Sequence, residues 1–267
     1  MKLATIACRI CVGMILISIS IGCWRRKSIV VLAAGHNETL VVAAHDDCLH
    51  QPSSPTQHYG TIADRIRQFG DVARKCHAPY FQTAGIGYPP ARVILVGLKD
   101  EQALEIYAAE KTGPFRFIRA YPILAESGML GPKLREGDNQ VPEGIYGIAL
   151  LNPNSTYHVS MEVSYPNDFD RAMARREHRT HLGSAIMIHG NACSAGCLAM
   201  GDGAAEDLFV LAHDTGLAHL KIILSPVDFR RHALPTAMPP QPAWVSELYQ
   251  KIQQELQTLP LPPGKSG

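Results

Sequence analysis

The sequence predicts a mainly β domain with peripheral helices, and three observations predict it. Short runs rich in β-branched and aromatic residues recur from Pro89 to Pro226, each bounded by Gly, Pro, Asn, Asp or Lys clusters. Strand patterns outnumber helical ones. No strand–helix–strand unit repeats, which argues against a parallel doubly wound sheet. At 267 residues the chain has room for one good-sized domain with extensions. Its formal net charge of +1 comes from acidic and basic residues interspersed along the chain. That balance provides no field for gathering nucleic acid or for steering to an anionic membrane.

In chain order, Lys2 and Arg9 precede an apolar run from Ile10 to Cys23. The run is shorter than the roughly 20 residues of a spanning helix and reads as the core of an export signal. "SIGC", ending at Cys23, is similar to a bacterial lipoprotein processing box. Arg25, Arg26 and Lys27 follow directly, and basic flanks favour retention on the cytoplasmic side, so a retained membrane anchor is the competing reading of residues 1–27. Outside this leader stand Cys48, Cys76, Cys193 and Cys197. They are too few for a disulfide scaffold in so long a chain, and Cys48 with Cys76 is the expected pair.

Residues 28–77 read as a Pro/Ser/His-rich linker, "HDDCLHQPSSPTQH", followed by one amphipathic helix. Ile62, Ile66, Phe69, Ala73 and Cys76 share a face in "TIADRIRQFGDVARKC". The main domain is expected over 78–231. "ARVILVGL", "ALEIYAAE" and "FRFIRAYPI" read as consecutive antiparallel strands. A glycine-rich passage, "SGMLGPKLREGDNQVPEG", interrupts them before "IYGIALLN" and "YHVSMEVSYP" resume the pattern. "FDRAMARRE" reads as a helix, "SAIMIHG" as a strand delivering His189, "AAEDLFVLAHDTG" as a helix ended by Gly216, and "LKIILSP" as a final strand. Residues 232–267 form a proline-rich extension holding one more helix, and its pattern leaves open whether that helix packs on the domain.

The densest chemistry lies in "HGNACSAGCLAM", His189 to Met200. Three readings compete. His189, Cys193 and Cys197 are spaced by fours and are zinc-type ligands, but Gly190, Ser194 and Gly196 oppose the continuous helix that would align them. A Cys193–Cys197 disulfide would close a very short loop, stabilising little but serving as an oxidative off-switch. The third reading is nucleophilic catalysis. A free thiol, with a pKa of about 8.5, is mostly protonated at neutral pH and needs a neighbouring base, which His189 supplies. Gly196 permits a sharp turn that leaves amide N–H groups to stabilise an oxyanion.

"IMIHG" followed by "CSAGCLAM" resembles the signature of the YkuD-type L,D-transpeptidases, cysteine enzymes of bacterial peptidoglycan, and more narrowly their YafK-like branch. "PYFQTAGIGYPP", "YPILAESGMLGPKLREGDNQVPEGIYGI", "LNPNSTYHVSMEVSYPNDFDRAMA" and "LSPVDFR" carry the likeness from about Tyr80 to Arg230. The resemblance implies a β-sandwich-like catalytic domain. It implies Cys197 as nucleophile, His189 as proton acceptor and donor, Ser194 and Gly196 as shapers of the turn, and the amides of Gly196 and Cys197 as oxyanion donors. It implies no metal and no organic cofactor. The expected reaction is acyl transfer through a cysteine thioester at the L–D linkage of stem peptides, within the periplasmic cell envelope. The alternatives are hydrolytic release of murein-bound lipoprotein or trimming of stem peptides, and a non-catalytic murein-binding module. Where the family reads His before the glycine and Arg two residues after the cysteine, this chain has Ala195 and Ala199. Lys133 and Arg135 therefore become the candidates for holding a substrate carboxylate, with Tyr157 and His158 as further cleft candidates on opposite faces of one strand.

Overall fold

The computed structural model describes residues 60–236 and 238–265. The leader, the lipid-attachment candidate Cys23, the linker and Cys48 lie outside the described residues. Helix α1 spans Ile62–Ala84. Thr61 and Asp64 close a reciprocal capping box at its start, and Gly85, at φ 66°, turns the chain out of it. The helix continues across the expected 77/78 division and carries Pro79 inside it. Cys76 is disulfide-bonded.

Strands β1 (Arg92–Leu98), β2 (Ala103–Ala109) and β3 (Arg116–Pro122) form the expected antiparallel meander. Strands β4 (Gly144–Ser155) and β5 (His158–Val163) form a hairpin, followed by helix α2 (Asp168–Arg176). Two very short strands, β6 (Met187–His189) and β7 (Leu198–Ala199), pair in parallel. Helix α3 (Asp202–Thr215), strand β8 (Leu220–Ser225) and helix α4 (Val245–Gln257) complete the chain. The sheet order is β3-β2-β1-β8-β4-β5-β6-β7. The last strand therefore enters the middle, parallel to β1 and antiparallel to β4.

That insertion explains why β1 reads as an unbroken apolar run. Val93 and Leu95 join a core with Phe69 of α1 and Phe209 of α3, while Ile94, Val96 and Leu98 join a second core with Leu248, Ile252 and Leu256 of α4. A strand covered on both faces has no solvent side to alternate with. The C-terminal helix therefore packs on the domain. Burying a side chain such as Ile252 contributes on the order of 1.5–3 kcal/mol.

The glycine-rich passage is held from inside. Lys99 Nζ meets Glu143 Oε1 at 2.9 Å and the Met129 carbonyl at 2.8 Å, and the Tyr249 hydroxyl of α4 donates to Glu143 Oε2 at 2.7 Å. Gly144 then starts β4 at φ 154°, where an added Cβ would lie 2.6 Å from the Tyr146 hydroxyl. "VPEGIY" thus combines a buried ion-pair anchor with a bend that no larger residue accommodates.

Candidate active site

Cys197 stands immediately before β7, after a turn in which Gly196 takes φ 108°. The turn is tied by one side chain: the Ser194 hydroxyl accepts the Cys197 N–H at 3.1 Å and donates to the Cys197 carbonyl at 2.6 Å. This bond corrects the expectation that the Cys197 amide is an open oxyanion donor. It is consumed in closing the turn, which leaves Gly196 N–H as the adjacent amide without a partner among the described residues.

Parallel pairing aligns Ile188 with Leu198 and His189 with Ala199. One step back along that register, Cys197 stands opposite Met187, whose N–H reaches Sγ at 3.4 Å; Sγ also lies 3.8 Å from the Ala185 carbonyl. Residues two apart on a strand share a face, so Cys197 and His189 lie diagonally on one side of the sheet. No hydrogen bond joins Sγ to the imidazole, contrary to the expected shared proton. The register offsets the two residues, and such bonds commonly tighten only when substrate is present.

His189 is buried, 1% exposed. Its Nδ1 donates to the Gly190 carbonyl at 2.6 Å, an assignment that leaves Nε2 as the unprotonated acceptor. Burial pushes the imidazole pKa below its ordinary value, and the Gly190 bond opposes that only in part. Burial likewise pushes the Cys197 thiol up, against the Met187 N–H and the Lys133 charge. Both groups are thus neutral at rest. Gly190 has no room for a side chain, since a Cβ there would lie 2.9 Å from the Tyr157 carbonyl oxygen. Asp202, opening α3, takes the Asn191 N–H at 2.8 Å and fixes the start of the loop.

The remaining candidates divide. Tyr157 sits in the β4–β5 turn rather than on a strand, with its ring stacked on His189 at 4.7 Å between centroids and 26° between planes. His158 turns away and meets Glu206 of α3 at 2.6 Å. Lys133 is buried, its ammonium 2.5 Å from Asp138 and 3.0 Å from the Arg135 carbonyl, so its charge is already met. Arg135 is exposed and lines a cavity of about 710 Å³ with Leu134, Gln140 and His178. Cys193 and Cys197 both carry free thiols. Among the described residues no three His, Cys, Asp or Glu side chains gather as metal ligands, so the zinc reading lacks a donor set. The Gly190 carbonyl and the Met187 amide are contacts of His189 and Cys197 that sequence reading misses, because a backbone atom leaves no mark in residue identity.

Residues 91–219 match the YkuD L,D-transpeptidase catalytic domain. YafK of Escherichia coli (strain K12), provisionally named an L,D-transpeptidase, is 36% identical over 114 residues, covering 42% of this chain and 43% of that protein. The chain therefore matches less than half the length of this curated relative. Among solved structures, the helical cell shape determining protein Pgp2 from Campylobacter jejuni shows 21% identity and a TM-score of 0.43, over 57% of this chain and 55% of Pgp2. Mycobacterium tuberculosis L,D-transpeptidase 1 shows 14% identity and a TM-score of 0.29, over 50% of this chain and 62% of that one.

Proposed function

We propose, from the match of residues 91–219 to the YkuD L,D-transpeptidase catalytic domain, that Cys197 performs acyl transfer at the L–D linkage of peptidoglycan stem peptides. The observation that carries the reading is the parallel β6–β7 pairing, which sets His189 and Cys197 on one face two residues apart. Because both groups are neutral at rest, the thiol proton passes to His189 Nε2 as Sγ bonds to the scissile carbonyl carbon. The carbonyl oxygen gains the displaced electron pair, and in this reading the Gly196 N–H donates to it. Collapse breaks the C–N bond, the Nε2 proton goes to the departing amine, and a thioester remains. An acceptor amine, deprotonated by the same Nε2, then resolves it. Stacking of Tyr157 supports the imidazolium that exists between those two transfers.

Action on peptidoglycan places the protein in the bacterial cell envelope, and the disulfide at Cys76 supports an oxidising, periplasmic compartment. Among the described residues no helix is long and apolar enough to cross a membrane. The anchor candidate, residues 1–27, lies outside the described residues.

The test is incubation with disaccharide-tetrapeptides, with and without an acceptor amine. Cross-linked dimers are expected from the native protein, with a transient mass adduct on Cys197. Cys197→Ala is expected to give none of these while keeping the same melting temperature. Tripeptides without dimers would replace transfer by hydrolysis, and unchanged product in Cys197→Ala would remove the assignment.

A further inference from the structure

A second cavity, of about 510 Å³, opens beside the site. Arg171 and Arg175 of α2 line one wall, and Arg179, His181 and Ser184 line the segment that leads back towards Cys197. Ser184 precedes Ala185, whose carbonyl lies 3.8 Å from Cys197 Sγ. The end of the groove is thus about one residue length from the nucleophile's own contact. Its charge is one-sided, since Glu136 is the acidic residue among its lining groups. Among the described residues, Arg171 has a loose, exposed partner in Asp168 at 3.7 Å. Arg179 is held in place by Glu177 at 2.7 Å and the Leu134 carbonyl at 2.8 Å. The floor is close-packed: Gly183, at φ 83°, would bring a Cβ within 3.2 Å of the Glu136 backbone and 3.3 Å of Lys133 Cε.

This placement bears on a need the site itself leaves open. Ala199 stands where the family signature has arginine, and Lys133 is already neutralised by Asp138. We infer that the groove of Arg171, Arg175 and His181 is a carboxylate-binding subsite, which receives free carboxylates of the peptide substrate on one side of the scissile bond, while Arg179, already paired with Glu177, holds the groove's wall. The inference rests on the acyl-transfer reading for the identity of the peptide. Guanidinium groups suit this task because their planar forks bind carboxylate in two-point fashion. Of the four arginines between Arg171 and Arg179, three line this cavity.

The experiment measures binding in Cys197→Ala, which holds substrate without consuming it. The ligands are a stem tetrapeptide with free side-chain carboxylates and the same peptide with those carboxylates amidated. Arg171→Gln/Arg175→Gln, on the exposed side of α2, is expected to weaken the free-acid peptide about ten-fold. It is expected to leave the amidated one unchanged, and added salt should abolish the difference. Equal affinity for both peptides in the arginine-bearing protein, an equal loss on both in the double variant, or no binding at all would overturn the subsite. Turnover by protein with Cys197 intact is read separately. Arginine-dependent binding without turnover would sink the acyl-transfer reading and keep the groove, while turnover without arginine dependence would do the reverse.

Discussion

The two ends of the sheet are built on different terms. In the half made by β2, β1, β8 and the start of β4, strands of six or more residues carry apolar side chains on both faces, between α1 and α3 on one side and α4 on the other. In the half made by β6 and β7, strands of three and two residues are joined by a loop pinned through a few hydrogen bonds: Ser194 to Cys197, Asn191 to Asp202, His189 to Gly190. Area holds the first half; in the second, Ile188 and Leu198 are buried in the same core, but directed hydrogen bonds hold the loop between them. Apolar burial is additive and tolerant of small shifts, whereas a bond lost from the loop moves a reacting atom. Changes in one half should therefore be read in stability and changes in the other in reactivity.

The sharpest way to break that separation is Glu143→Ala, because Glu143 belongs to both halves. It leaves the Lys99 ammonium buried without its carboxylate and frees the passage that runs beside Gly196. A loss of about 3–5 kcal/mol in chemical denaturation is expected, together with reduced alkylation of Cys197. Ile252→Ala keeps the separation: removing a fully buried side chain of α4 should cost about 2–4 kcal/mol and leave the Cys197 alkylation rate at native conditions unchanged. A slowed alkylation there would show that α4 reaches the site.

His77 sharpens the comparison through pH. It is fully buried between α1 and α3, with Nε2 donating to the Asp207 carbonyl at 3.0 Å, and burial lowers its pKa to about 4. The folded state resists protonation more than the unfolded chain does, so this contribution is complete above about pH 6.5 and is lost as pH falls towards 4. Denaturation should lose up to about 3 kcal/mol across that window. His77→Gln should flatten the dependence without altering the acid limb of turnover. That limb belongs to His189, whose lowered pKa puts the fall in kcat/KM below pH 6.5. The smallest effect in stability is Ser194→Ala. About 1 kcal/mol is expected from the lost turn bond, against a larger fall in turnover as Cys197 loses its fixed backbone.

Much of this was open to sequence reading, and unevenly so. The strands and helices of the main domain follow alternation and helical spacing, and each expected run forms an element. What periodicity misses are consequences of distance in the chain. Nothing in "LKIILSP" says that it lies between β1 and β4, and two residues of β7 have no period to detect. The helix read over residues 61–76 continues through Pro79 to Ala84, where Phe81 enters the core. In the site, Cys197 and His189 are legible by residue type and spacing. Lys133 is not, since a sequence cannot show that Asp138 answers its charge. The arginines of α2 pass for a solvated helix face until the cavity beside them is seen.

The sheet order also has a consequence in time. Translation delivers His189 and Cys197 before residues 220–225, yet β1 and β4 meet only through the strand those later residues form. While the chain is emerging, the Cys197 thiol is made ahead of the floor it stands on. A nascent protein interrupted before Ser225 can pair β6 with β7 but lacks the strand that joins β4 to β1, so the support beneath the site arrives last.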